Sequence, residues 1–268
     1  MPATPSADRR EERMLIVISP AKTLDYDTPP KTKRHTKPRF LDHSQRLVNI
    51  LRNYSALDLA ELMHLSHKLA ELNFERYQDW SPQLTPQNAK QAVLAMKGDV
   101  YSGLDAESFD EEDFGFAQEH LRILSGLYGV LRPLDLMHPY RLEMGTRLAN
   151  EAGKDLYAFW GETITEALNA DLEAQGDDLL VNLASNEYFK SIKPKLLQGR
   201  ILTPQFKERK GDRYRVLGVY AKKARGLMAG FIVRNRLSQA EDIKGFTDEG
   251  YAFDPALSSE DEWVFTRG

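Results

Sequence analysis

The sequence predicts a mixed α/β (α+β) fold: a single compact domain with a mostly β centre surrounded by helices. Three observations carry this. Two short, largely apolar runs, Leu15-Ile16-Val17-Ile18 and Leu179-Leu180-Val181-Asn182-Leu183, read as strands buried on both faces. Long stretches between and after them repeat apolar residues with the spacing of a helix face. Nothing divides the chain, since its 268 residues contain no internal repeat and no long linker. The domain is expected to run from residue 14 to 268, after a disordered extension over residues 1–13, which is polar and lacks apolar periodicity.

Composition excludes several classes. Eleven Tyr, twelve Phe and three Trp argue against a disordered chain. No apolar run approaches the ~18 residues of a membrane-spanning helix. The absence of cysteine removes disulfides, thiolate metal sites and cysteine nucleophiles, and fits a reducing cytoplasm. The net charge of −4 conceals an uneven distribution. Residues 186–236 hold fourteen Lys/Arg against three Asp/Glu, a local charge of +11, so the remainder carries −15. Residues 99–120 hold eight Asp/Glu and no Lys or Arg. A basic face on an acidic protein is therefore expected.

Taken in order, the run at Leu15–Ile18 delivers Ser19-Pro20-Ala21-Lys22-Thr23. A lysine and two hydroxyls past a buried strand can form an anion or substrate site, or simply a solvated exit. Residues 27–39 form a loop with five basic residues, Lys31, Lys33, Arg34, Lys37 and Arg39. From Leu41 to Met96 the pattern is helical, with breaks at Ser81-Pro82 and Thr85-Pro86; Pro86 suits a first helical position after a Thr85 cap. His64 and His67 can share a helix face, but no acidic partner stands at ligand spacing. Lys97-Gly98 stops that helix, and Asp99–Leu104 reads as a turn or strand. Ser108-Phe109-Asp110-Glu111 reads as a helix cap with acids in the first turn.

Residues 121–145 hold two glycines three apart, Gly126 and Gly129, after a helical-looking segment. The charged residues Arg132, Asp135, Arg141 and Glu143 follow. One reading is a buried interhelical connection whose charges pair with one another. The other is a glycine hairpin between helices that presents backbone N–H groups to a phosphate. Residues 154–175 read as one amphipathic helix ended by Gly176-Asp177. The strand at 179–183 then exits into Ser185, Glu187, Tyr188 and Lys190, which can join Lys22 if the two strands run parallel.

Ile201–Phe206 and Arg213–Tyr220 read as strands joined at Lys210-Gly211-Asp212. The second delivers Lys222, Lys223 and Arg225 to a strand-to-helix junction, before a helix over Leu227–Leu237. Three adjacent cations repel unless an anion or carboxylates neutralise them. An anion there can be a nucleic-acid backbone, with Tyr128, Tyr140 and Tyr188 available to stack exposed bases. It can also be a nucleotide-sized ligand in an enzyme pocket, with Lys22, Glu143, Glu187, Tyr188 and Lys190 as acid, base or charge stabilisers. A closing hairpin is expected from Tyr251–Phe253 and Trp263–Phe265.

Five segments carry a specific resemblance: SPAKTLDY at 19–26, KGDVYSGL at 97–104, LRILSGLYGVLRPLDLMHPYRLEMG at 121–145, NLASNEYFKS at 182–191 and YAKKARGLM at 220–228. In order and spacing the sequence resembles the YaaA family of peroxide-stress resistance proteins, nearly throughout from Met14, the expected natural start. The resemblance implies a cytoplasmic protein of the hydrogen peroxide response, associated with lower free intracellular iron and less Fenton damage to DNA. It implies a single α/β body with a positively charged cleft, a helix-hairpin-helix element and binding to double-stranded DNA, with or without non-duplex features. The hairpin is then placed at Ser125–Gly129 and the family's basic motif on Lys222, Lys223 and Arg225. The expected DNA contacts are Lys222, Lys223, Arg225, Gly126, Gly129, Arg132, Arg141 and Lys190. No catalytic residue, metal or cofactor is assigned, no membrane is expected, and a monomer is assumed. The alternative is an enzyme acting on a nucleobase or nucleotide, with Lys22, Glu187, Tyr188 and Lys190 lining its pocket.

Overall fold

A computed structural model describes residues 14–176 and 178–268; the extension expected over 1–13 lies outside them. Strand β1 (Met14–Ile18) is buried at every position, as five successive apolar residues require. After β2 (Thr23–Leu24) and the basic loop come α1 (Leu41–Leu51), α2 (Ala56–Met63) and α3 (His67–Asp79). Helix α1 turns Leu47, Val48 and Leu51 inward. A capping box starts α2: the Ser55 hydroxyl accepts from the Asp58 N–H, and the Asp58 carboxylate accepts from the Ser55 N–H. His64 ends it in the left-handed region at φ 52°. Short pieces follow: β3 (Lys90–Gln91), α4 (Ala92–Ala95), β4 (Met96–Lys97) and α5 (Asp99–Leu104). Helix α6 (Glu111–His120) starts from Asp110, which forms the expected cap together with Asp113.

Strands β5 (Leu121–Ser125) and β6 (Gly129–Leu131) form a tight antiparallel hairpin, and β7 (Leu136–Met137) pairs with β3. Helices α7 (Leu156–Trp160) and α8 (Thr163–Gln175) lead to β8 (Leu179–Leu183) and α9 (Asn186–Phe189). The chain closes with β9 (Arg200–Lys210), β10 (Arg213–Arg215), α10 (Gly218–Arg234), β11 (Ala252–Phe253) and β12 (Glu262–Arg267).

One mixed, mostly parallel sheet organises these elements, in the order β11-β12-β9-β8-β1-β5-β6. The five inner strands run parallel, and β11 and β6 are antiparallel at the two edges. One hydrophobic cluster joins β1 at the centre to β12 near an edge. The mixed α/β body with surrounding helices is therefore as the sequence predicts, and so are the capping at Asp110 and the closing hairpin β11–β12.

Several local expectations need correction. Residues 121–131 form a β-hairpin instead of a helix end, because Leu121–Ser125 is buried along its whole length and pairs with β1. The turn at Gly126–Gly129 is also buried: a Cβ on Gly126 would lie 2.2 Å from the Leu142 carbonyl oxygen, and one on Gly129 2.7 Å from the Trp160 ring. These glycines admit other protein groups, and the Gly126 carbonyl accepts from the Trp160 indole. The helix-hairpin-helix placed here is therefore overturned, along with phosphate contact by Gly126 and Gly129. Residues 154–175 are two helices, because Gly161 at φ 50° breaks them. The further helix expected from Pro86 to Met96 after a Thr85 cap does not form: its apolar residues are divided among β3, the single turn α4 and β4. Asp99–Leu104 is helical. His64 and His67 do not share a helix face: His64 caps the end of α2 in the left-handed region, and His67 begins α3. Strand β10 stops at Arg215, so Lys222, Lys223 and Arg225 lie inside α10 and not at a strand-to-helix junction.

Candidate functional site

Strands β1 and β8 are parallel neighbours that end level, with Ile18 opposite Leu183. From β1 the chain adds β5 on one side of the sheet and later returns to β8 on the other. The strand order thus reverses at these carboxyl ends, where open α/β sheets bind their ligands. The two exits are sewn together. The Ser19 hydroxyl accepts from the Ser185 N–H at 2.9 Å and donates to the Ser185 hydroxyl at 3.3 Å. The Tyr101 hydroxyl donates to the Ser19 carbonyl at 3.1 Å.

A cavity of about 650 Å³ opens above this seam. Its floor comes from the exits of β1 and β8, one wall from Lys97–Tyr101, and the other from Lys222 and Arg225. The walls are set by a close helix crossing. A Cβ on Gly226 of α10 would lie 1.8 Å from the Val100 carbonyl oxygen, and one on Gly103 of α5 would lie 2.3 Å from the Lys223 carbonyl oxygen. The two backbones touch, which only glycine permits. That contact fixes the distance between the Tyr101 side of the cavity and its Arg225 side.

The cavity gathers residues that the sequence assigns to two different readings. Lys22, Glu187 and Tyr188 of the pocket reading line it beside Lys222 and Arg225 of the DNA reading. Four cations, Lys22, Lys97, Lys222 and Arg225, face two acids, Asp99 and Glu187. Not all of these cations are available. Lys22 lies 2.5 Å from Glu143, and Lys97 lies 3.4 Å from Asp25 and 3.6 Å from Glu107. Lys222 and Arg225 have no hydrogen-bond or ion-pair partner among the described residues. Arg225 is half-buried, and burial alone lowers its pKa, with no carboxylate to offset it.

The remaining expected contacts lie elsewhere. Lys223 is ion-paired with Glu249, which also binds Arg267 at 3.2 Å. Arg132 is spent on Asp135 at 3.0 Å, and Arg141 on Glu143 at 2.9 Å, so these charges pair with one another. Lys190 sits 4.9 Å over the Tyr157 ring and does not line the cavity. Tyr128 and Tyr140 are buried and do not line this cavity, so they cannot stack on exposed bases; Tyr188 is buried in the cavity wall.

Sequence reasoning missed Lys97, Asp99 and Tyr101 as site residues. The segment carried a family resemblance, but a short turn gave no reason to aim it at β1. Tyr101 and Tyr188 are both pushed well above the ordinary tyrosine pKa by burial, so their hydroxyls stay protonated. Among the described residues, no group of three or more His, Asp or Glu side chains is placed to hold a metal ion. No helix among them is long and apolar enough to cross a membrane.

Fold and site together define an α/β protein with a cavity, lined by four cations and two acids, at the switch point of a mostly parallel sheet. A family model described as peroxide stress protein YaaA matches residues 14–257. The chain belongs to that family, whose description places it in the response to peroxide.

Proposed function

We propose that this is a cytoplasmic DNA-binding protein of the hydrogen peroxide response that protects DNA. The observation that carries the reading is Arg225: a half-buried guanidinium without a carboxylate partner, one helical turn from the equally unpaired Lys222. An uncompensated cation in a partly desolvated wall is costly, and an incoming phosphate removes the cost. The surface nearby supports this. The β9–β10 hairpin carries Lys207, Arg209, Lys210, Arg213 and Arg215, while its Glu208 is taken by Tyr251 and Arg267. Only its tip, from Arg209 to Tyr214, extends past the pairing with β12 as a short two-stranded ribbon, a shape that can enter the major groove of a duplex. We take the association with lowered free iron as indirect, since the sequence offers no cysteine and no clustered histidines.

The test is duplex binding over a salt series. Lys222→Ala/Arg225→Ala should bind more weakly, with a log–log salt slope shallower by about 2. Lys223→Ala should change less, because that ammonium is already paired. A folded double variant with the wild-type slope, or a wild type that does not bind duplex, would overturn the reading.

A second reading, an enzyme acting on a nucleobase or nucleotide, draws on Lys22, Glu187 and Tyr188 in the same cavity. Lys22 is engaged by Glu143 and the Tyr188 hydroxyl is held protonated, so neither is poised as a base. Turnover of a nucleotide by the wild type, lost in Glu187→Gln, would favour it.

A further inference from the structure

We infer that the cavity between α5 and α10 is a binding site for one nucleoside monophosphate unit, held by its phosphate and by the edge of its base. This deepens the DNA reading above and rests on it for the source of the ligand. Size is the first argument. At about 650 Å³ the cavity falls within the roughly 300–1,000 Å³ range of small-molecule sites. It is too roomy for a lone phosphate and far too narrow for a duplex. Whatever enters from a nucleic acid is a single nucleotide taken out of the stack.

The second argument is the division of the walls. Lys222 and Arg225 lie three residues apart on α10, so they face the same way and can grip one phosphate from one side. The inner part of the cavity is formed by Leu183, Val100 and the buried rings of Tyr101 and Tyr188, which provide an apolar enclosure for a flat ring. A pure phosphate site has no use for such a wall.

The third argument is unspent hydrogen-bonding capacity. Asn186 and Asp99 line the cavity, and their side chains have no hydrogen-bond partner among the described residues. A primary amide offers a donor and an acceptor side by side, and a carboxylate accepts from amino groups. These are the groups that read base edges. A cationic grip, an apolar slot and a free amide together match a nucleoside phosphate better than any one of its fragments.

The ligand can be a nucleotide extruded from DNA or a free monophosphate, and two measurements on the full chain separate them. In calorimetric titrations, at least one of dAMP, dGMP, dCMP or dTMP should bind at least tenfold tighter than inorganic phosphate and than its own nucleoside. Arg225→Ala should lose tenfold or more of that affinity. Asn186→Ala, at an exposed position that leaves the fold intact, should narrow the preference among the four bases. In parallel, a duplex with 2-aminopurine opposite an abasic gap should change its emission on binding. Emission change with wild type but not with Asn186→Ala assigns the site to extruded nucleotides; monophosphate binding with a silent probe assigns it to free ones. Duplex binding with monophosphates no tighter than phosphate overturns this inference and leaves the DNA reading standing. Monophosphate binding without any duplex binding overturns the DNA reading and leaves the pocket assignment.

Discussion

Replacing Gly226 by alanine tests whether the α5–α10 crossing sets the cavity. Two effects oppose each other. Alanine is the better helix former by about 1 kcal/mol in a helix interior. Against this, the new methyl would sit 1.8 Å from the Val100 carbonyl oxygen, 2.7 Å from the Val100 carbonyl carbon and 2.9 Å from the Leu104 nitrogen. All three are backbone atoms, so no rotamer change relieves the contact. Reaching an ordinary separation moves one helix by more than 1 Å, and overpacking of this kind costs about 3 kcal/mol or more. The net loss is then about 2 kcal/mol, a fall in Tm of about 4–8 °C for a chain of this size. The same displacement spreads Val100–Tyr101 from Lys222–Arg225, so DNA affinity should fall in the protein that remains folded. Gly218→Ala is the control: it lies in the first turn of the same helix, and a Cβ there meets nothing within 4 Å. Thermal unfolding and duplex binding read both effects. A Gly226→Ala protein as stable as wild type, with unchanged affinity, would refute the claim that backbone contact defines the cavity.

Two further outcomes follow from the same geometry. Gly126→Ala forces a Cβ to within 2.2 Å of the Leu142 carbonyl oxygen and should cost about 2–3 kcal/mol in chemical denaturation, while the salt slope of DNA binding stays at the wild-type value. At Asp171, burial would raise the carboxyl pKa, but hydrogen bonds from Arg122 at 2.7 Å and Arg39 at 2.6 Å outweigh it and hold the pKa below the ordinary value. A depressed carboxyl contributes stability that is complete above the unfolded pKa near 3.9 and is lost as pH falls through the lower folded value. Denaturation midpoints of Asp171→Asn should therefore converge on wild type only as the pH falls below the depressed folded value, and at pH 7 the variant should lose about 3 kcal/mol through the stranded Arg122.

What the sequence disclosed depended on whether a local pattern had one physical meaning. The strands at 14–18 and 179–183 were legible because a short apolar run bounded by polar residues has few other uses. Their parallel pairing was legible only as a condition, yet it is this pairing that makes Ser19 and Ser185 neighbours. Glycine misled in both directions. Gly226 stands between the basic residues and the apolar run from Leu227, where the sequence suggests a junction, whereas in the fold it is a helix-interior residue kept small by Val100. Gly161 ends a helix, although the apolar spacing continues across it and predicts a single one. Gly126 and Gly129 resembled a loop offered to a ligand; the partners that need their small size, Leu142 and Trp160, lie far along the chain. Arg225 could be named from its motif, but its lack of a carboxylate partner follows from the packing of α10 against α5, which no local pattern encodes.

The seam at the cavity floor joins residues 166 positions apart, and its cationic wall comes still later in the chain. A site assembled from such distant segments cannot exist in part. A ribosome that has released β8 but not α10 exposes a chain with the floor and neither Lys222 nor Arg225. The anion affinity proposed for this cavity would thus be withheld until synthesis is almost complete, and the growing chain would be spared capture there by the RNA that surrounds it. Contacts of this separation also form slowly, so during refolding the appearance of ligand binding should trail the recovery of helical signal and report the last ordering step.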